Sequence, residues 1–256
     1  MARAETARAH PAGTAGAADS VGFFTRFAIE YATARPSRTI TVLQAGCATT
    51  GLELDLASLR ASAHELTISL VDDDCRAVRA VIAARPELQS ATLGELRTVP
   101  IGPRSFDIVQ CSMLLHRIGN AELVLGRLAA ALRPGGLLLL RTADRDTAAG
   151  FLDRKLPSSV RALAWRATRP GQPGPFPARY EQIASARGIE AFTARHGLVI
   201  ASRQAARLHG NHGQPTAVPV MQQLVAGLSR GRLGSDHDEL RYVIRKPEDQ
   251  FARVLP

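Results

Sequence analysis

A chain of 256 residues that is 45% hydrophobic and 21% charged can bury a full core, and its length fits one α/β domain with an insertion. Its formal net charge of +9 would ordinarily point to an anionic partner. Here the cations are nearly all scattered arginines, with Lys155 and Lys246 the only lysines, and no basic stripe or aromatic interleaving supports nucleic-acid binding.

Cys47, Cys75 and Cys111 are odd in number and widely spaced, which argues against a disulfide framework or a paired-cysteine metal site and predicts a reduced, cytoplasmic setting. No apolar run approaches the about 18 residues of a membrane span, and no secretory segment is legible, so no membrane partner is expected. Residues 1–20, rich in alanine and glycine, read as a disordered N-terminal tail, and residues 21–256 as a single domain.

Along the chain, residues 21–34 carry Phe23, Phe24, Phe27, Ile29 and Tyr31 with few charges, a mostly buried helix that ends before Arg35-Pro36. An alternation follows. "TITVLQA" is strand-like, "GLELDLASLRAS" helical, "LTISLVD" a strand, "CRAVRAVIAAR" a helix stopped by Pro86, and "SATLGEL" a short strand. Next come the strand "SFDIVQC", the helix "AELVLGRLAAALR" closed by Pro134-Gly135-Gly136, and the strand "LLLLRT". Strands with apolar runs instead of polar alternation are buried on both faces, and strand-helix alternation makes parallel crossovers, so an α/β doubly wound sheet is expected. Two late strands, "GLVIASRQ" and "DELRYVIRK", flank "VPVMQQLVAGLSRGRLG", a short helix and loop.

In such a sheet the ligand sits outside the carboxyl ends of the strands, and the first strand-to-helix turn is the usual contact. That turn is "QAGCATTG". Asp72 closes the second strand, where its carboxylate can accept two hydrogen bonds from a ribose diol; the competing reading is a solvated strand end or a cap on the helix at Cys75.

At these residues the chain resembles the class I S-adenosylmethionine-dependent methyltransferases. "VLQAGCATTG" resembles the motif that wraps the methionine part of the cofactor, "SLVDDD" the one whose acidic residue holds the ribose, and "LGELRTVP" the one whose acidic side chain meets the adenine. "RSFDIVQCSMLLHRI" followed by "LRPGGLLLLRT" is similar to the family's fourth strand, helix and fifth strand. The resemblance covers roughly residues 39–142 in detail. It implies a Rossmann-like doubly wound sheet with a reversed last strand near Leu240 to Arg245, and S-adenosylmethionine as cofactor. The cofactor-binding residues it implies are Gln44, Gly46, Cys47, Ala48, Gly51, Asp72, Asp73, Glu95, Leu96, Cys111 and Ser112.

The first motif departs from the family pattern. Gln44 replaces its acidic residue, and Ala48 and Thr50 stand where glycines recur. Neither adopts a positive φ freely, so the loop is expected to follow a different path while keeping its ligand. A nicotinamide cofactor is the rival, but residues 46–51 hold no G-x-G-x-x-G and the chain does not continue as a second mononucleotide half.

Residues 145–187 read as an insertion after the fifth strand, with one or two amphipathic helices and then a loop dense in proline and glycine. It is either a substrate lid walled by Trp165, Phe176 and Tyr180, or a packing appendage or homodimer contact. Few bases present themselves: His116 reads mainly as packing, His209 and His212 lack a third metal ligand, and Asp144 and Asp146 either orient substrate or cap the next helix. No catalytic residue and no metal are assigned. The resemblance implies methyl transfer to an oxygen or nitrogen of a small bacterial metabolite; the alternative is a non-catalytic cofactor- or metabolite-binding descendant.

Overall fold

The computed structural model describes residues 17–46, 51–168, 174–207, 227, 229 and 233–248. In chain order the elements are α1 (Ala17–Thr33), β1 (Thr39–Ala45), α2 (Leu56–Ser62), β2 (Glu65–Asp72), α3 (Arg76–Ala83), β3 (Ser90–Leu93), β4 (Phe106–Ser112), α4 (Ala121–Ala131) and β5 (Leu132–Ala143). Then follow α5 (Ala148–Lys155), α6 (Ser158–Thr168), a 3-10 turn (Gln182–Ala184), α7 (Ala186–Arg195), β6 (Val199–Ala206) and β7 (Glu239–Arg245).

The strands form one 7-stranded sheet in the order β3-β2-β1-β4-β5-β7-β6. β1 to β5 pair in parallel, whereas β7 runs antiparallel to both β5 and β6. The reversed strand expected near Leu240 to Arg245 is therefore present, slotted between β5 and β6. Register sets Ala45 beside Val71 and Cys111, and Arg141 beside Ser112 and Arg241.

Both faces of the sheet are covered, which is why its central strands are apolar in successive positions. Leu43, Val109, Leu138 and Leu140 pack in one core with Val124, Leu125 and Leu128 of α4 and Ile189 and Phe192 of α7. Val42, Ile68, Ile108, Leu139 and Val243 pack in the other with Phe24, Ala28 and Tyr31 of α1 and Leu59 of α2. Each such side chain contributes roughly 1.5–3 kcal/mol on burial.

At the amino-terminal end of the sheet a polar knot fixes α1 to the strands. The buried carboxylate of Asp107 accepts from the Tyr31 hydroxyl at 3.1 Å and from the Thr41 amide and hydroxyl at 3.0 and 2.8 Å, and it pairs with Arg133. Burial, followed by the Asp107 charge, pushes the Tyr31 hydroxyl up to about 12.

Several boundaries differ from expectation. α1 begins at Ala17, inside the stretch read as a tail, and Ser20 is already buried; residues 1–16 lie outside the described residues. α2 begins at Leu56 instead of Gly51, because Asp55 is extended and its carboxylate accepts the Ala57 and Ser58 amides at 3.0 and 3.3 Å. β5 leaves α4 directly, so Pro134-Gly135-Gly136 belongs to the strand: the Gly135 amide donates to Lys246 and Gly136 accepts from Lys246, each at 2.9 Å. Most of "VPVMQQLVAGLSRGRLG" lies outside the described residues.

Candidate active site

The carboxyl ends of β1, β2 and β4 bring Gly46, Asp72, Cys111 and Ser112 to one edge of the sheet. Gly46 has φ +83, and a Cβ there would lie 2.8 Å from the Ser112 carbonyl and 2.9 Å from Leu114 Cβ. Only glycine fits that corner, on grounds of both conformation and space. Gly51, with φ +63, is left-handed at the far side of the loop. Cys47, Ala48 and Thr50 lie between them, outside the described residues.

Asp72 is fully buried at its strand end. One carboxylate oxygen accepts the Asp73 amide at 2.8 Å, so the side chain bends back over the start of the next turn. Asp73 is exposed, and its carboxyl is raised first by partial desolvation and then by the Asp72 charge. Cys111 is also buried; desolvation, then the charge of Asp72, pushes its thiol up to about 12. That thiol is not a nucleophile at neutral pH.

The remaining residues expected at the cofactor take other positions. Gln44 is buried in β1 with its side-chain oxygen accepting from Arg85 at 2.7 Å, and its Nε2 is buried without a hydrogen-bond partner among the described residues. Glu95 is exposed beside β3 and paired with Arg97. Leu96 is buried in the α4 core, with its carbonyl accepting from Arg127 at 2.6 Å.

Beside Ser112 lies a cluster that the sequence reading did not single out. Glu53, Arg141, Glu239 and Arg241 are all buried. Arg141 donates to Glu53 and, at 2.7 and 2.8 Å, to Glu239, which also takes Arg241 at 2.6 Å. Desolvation raises the Glu53 carboxyl, against the opposing pull of Arg141 and of a hydrogen bond from Ser112. The Glu53 amide donates to the Gln110 side chain at 3.2 Å. The far limb of the 46–55 loop is thus tied by backbone and side chain to β4 and β5. The available signal was a charge inside each apolar run: Glu53 in "GLELDL", Arg141 in "LLLLRT", and Glu239 and Arg241 in "DELRYVI".

The candidate bases are engaged. His116 is buried with its ring 5.3 Å from that of Tyr180. Asp144, at the end of β5, accepts the Asp146 amide at 2.9 Å and meets His237 Nε2 at 2.9 Å, while Asp236 lies 3.1 Å from His237 Nδ1. The Asp144 hydrogen bond, followed against desolvation by Asp236, raises His237 above its usual range. His237 was not anticipated, because its partner lies 93 residues away in the sequence. His209 and His212 lie outside the described residues. Among the described residues, no group of three or more metal-binding side chains occurs, and no helix is long and apolar enough to cross a membrane.

The insertion folds over this edge. Trp165 meets Phe176 edge-on at 6.0 Å, the Arg117 guanidinium lies 3.7 Å from the Phe176 ring centroid, and Tyr180 is buried. Glu181 receives the Asn120 and Ala121 amides at 2.7 and 2.8 Å, capping α4 from a distance.

Comparison with known proteins agrees with this fold. A model described as a methyltransferase domain matches residues 24–202. No curated protein matches the sequence. Among solved structures, a loganic acid methyltransferase with SAH is similar at 13% identity and TM-score 0.57, over 91% of this chain and 93% of that one. An S-adenosylmethionine-dependent methyltransferase from Mesorhizobium loti is similar at 14% identity and TM-score 0.50, over 85% and 95%. A phosphoethanolamine N-methyltransferase 2 from Haemonchus contortus, in complex with S-adenosyl-L-methionine, is similar at 15% identity and TM-score 0.52, over 90% of this chain but 52% of that one. With the methyltransferase model spanning most of its length and the reversed strand in its sheet, the chain belongs to the class I S-adenosylmethionine-dependent methyltransferases.

Proposed function

We propose that this protein transfers the methyl group of S-adenosylmethionine to an oxygen or nitrogen of a small bacterial metabolite in the cytoplasm. The observation that carries this reading is the buried Asp72 carboxylate at the end of β2, with Gly46 turning the chain at φ +83 at the end of the neighbouring β1. These residues fit the cofactor. Gly46 starts the loop whose backbone would meet its methionine part, and a carboxylate at the end of β2 accepts from ribose hydroxyls. Gly51, Asp73, Cys111 and Ser112 complete the wall, Glu95 serves the adenine side, and Leu96 and Gln44 support from within the core. Cys47 and Ala48 are assigned by their place in the loop.

When bound, the cofactor supplies an electrophilic methyl on a sulfonium. The chain's own residues then have two tasks, to align the acceptor in line with the carbon-sulfur bond and to exclude water. With His116 against Tyr180 and His237 between two carboxylates, the reading assigns no general base and favours an acceptor that is nucleophilic as bound. The same engaged histidines favour the second reading, a non-catalytic cofactor- or metabolite-binding protein.

Calorimetry with S-adenosylmethionine and S-adenosylhomocysteine tests the site. Asp72→Ala removes hydrogen bonds to a charged acceptor worth ~1.5–3 kcal/mol each, so affinity should fall by roughly ten- to a hundredfold, while Asp73→Ala should bind nearly as wild type. Equal binding by both variants at unchanged Tm removes the ribose assignment, and no binding by the wild type removes both readings. Formation of S-adenosylhomocysteine from a mixture of hydroxyl- and amine-bearing metabolites then separates the enzyme from the binder.

A further inference from the structure

The insertion leaves the sheet at Ala143, the end of β5, yet Phe176 packs against the Leu70–Val78 cluster of β2 and α3, as does Leu93 at the end of β3. In the strand order, β4 and β1 stand between β5 and β2. The return path is also fixed at the carboxyl ends of the strands. The Arg179 and Tyr180 amides donate to the His116 carbonyl, in the turn after β4, at 2.9 and 3.0 Å, and Glu181 caps the amino end of α4. The segment from Phe176 to Tyr180 therefore runs from the first turn of α3 to the turn after β4, along the edge that holds Gly46 and Asp72.

Its aromatic tip is held in place there. Arg161 donates to the Phe176 carbonyl at 2.5 Å and pairs with Asp153 at 2.8 Å. The Arg117 guanidinium stacks on one face of the Phe176 ring, and the same charge acts on the Asp73 carboxyl. Trp165 meets that ring edge-on at 6.0 Å and is itself packed against the chain at Gly174, where a Cβ would lie 2.4 Å from the indole. Phe176, Arg117, Asp73 and the end of β3 thus share one corner, at the β2–β3 side of the sheet. In the strand order that corner is separated from β5 by β1 and β4.

We infer that Phe176, backed by Arg117 and Trp165, is a wall of the cofactor's nucleoside pocket, so that the insertion closes on the adenosine end of the cofactor and not on the methyl acceptor. This rests on the reading that the β1–β2–β4 edge binds S-adenosylmethionine. A planar base offers the Phe176 ring a stacking partner, and a ring backed by a guanidinium is already oriented to receive one.

Trp165 is the single tryptophan of the chain, so the full-length protein carries its own reporter. S-adenosylhomocysteine is titrated into wild type and Phe176→Ala by calorimetry, and into wild type while Trp165 emission is recorded; adenosine is titrated in parallel. The expected result is a saturable change in Trp165 emission with both ligands, and a loss of about tenfold in affinity for both in Phe176→Ala, restored by Phe176→Tyr. Unchanged Trp165 emission at saturating S-adenosylhomocysteine overturns the inference without any variant. So does a Phe176→Ala affinity within about twofold of wild type. Failure of the wild type to bind S-adenosylhomocysteine is a different result, because it removes the cofactor reading itself.

Discussion

The two ends of the sheet bury charge in different ways. At the amino-terminal end the Asp107 carboxylate is surrounded by a hydroxyl from α1, an amide and a hydroxyl from β1, and the Arg133 guanidinium. At the carboxyl-terminal end Glu53, Arg141, Glu239 and Arg241 pair across the 46–55 loop, β5 and β7, and the Gln44 amide keeps a buried nitrogen without a hydrogen-bond partner among the described residues. The first arrangement closes the base of a core. The second anchors a loop beside the edge proposed to hold the cofactor. Buried ion pairs are weak evidence for stability in themselves, and what they hold in register decides their use.

The largest expected effect tests the closed end. Asp107→Ala leaves Arg133 without its buried partner and strips three donors of their acceptor, so a loss of about 3–5 kcal/mol and a Tm lower by on the order of 10 °C are expected. Below that Tm, calorimetry should give wild-type affinity for S-adenosylhomocysteine. A matching loss of affinity would break the contrast between the two ends.

Glu53→Gln is the counterpart at the open end. Arg141 keeps Glu239, so the stability loss should be smaller, about 1–3 kcal/mol. Affinity for S-adenosylhomocysteine should nevertheless fall several-fold, because Glu53 ties down the limb that follows Gly51. Unchanged affinity in this variant would show that the four charges serve the fold alone.

The smallest effect is pH-dependent. His237 has a folded value raised above its ordinary one by Asp144 and Asp236, so its stabilising contribution is fully present below about pH 6.5, the unfolded value, and is lost as pH rises through the raised folded value. The Tm difference between wild type and His237→Gln should therefore be greatest in mild acid and shrink towards alkaline pH. A difference that grows with pH would mean that the imidazole is held neutral.

Much of this architecture was written locally. The apolar runs of β1, β4 and β5 needed no tertiary knowledge to be read as two-faced strands, and the late pair around Leu240 was read as the reversed strand that β7 proves to be. Gly46 and Asp72 were legible because a strand end followed by a turn limits which residue types fit. Helix and strand starts were less so: Asp55 ends the loop through a cap, and Gly135 is claimed for β5 by Lys246, far along the chain.

What the sequence by itself determined is the order of elements and the faces they bury, since those follow from periodicity and turn chemistry within a few residues. Only the tertiary structure decided which charges meet. Glu53 and Arg141 are 88 residues apart, and Arg141 and Glu239 are 98 apart. Gln44 turns to Arg85, and Phe176 crosses from the β5 side to α3. No local propensity encodes such pairings. A buried charge must find its counter-charge wherever the folded chain brings one within reach, and that depends on the strand order, which emerges only when the whole sheet is assembled.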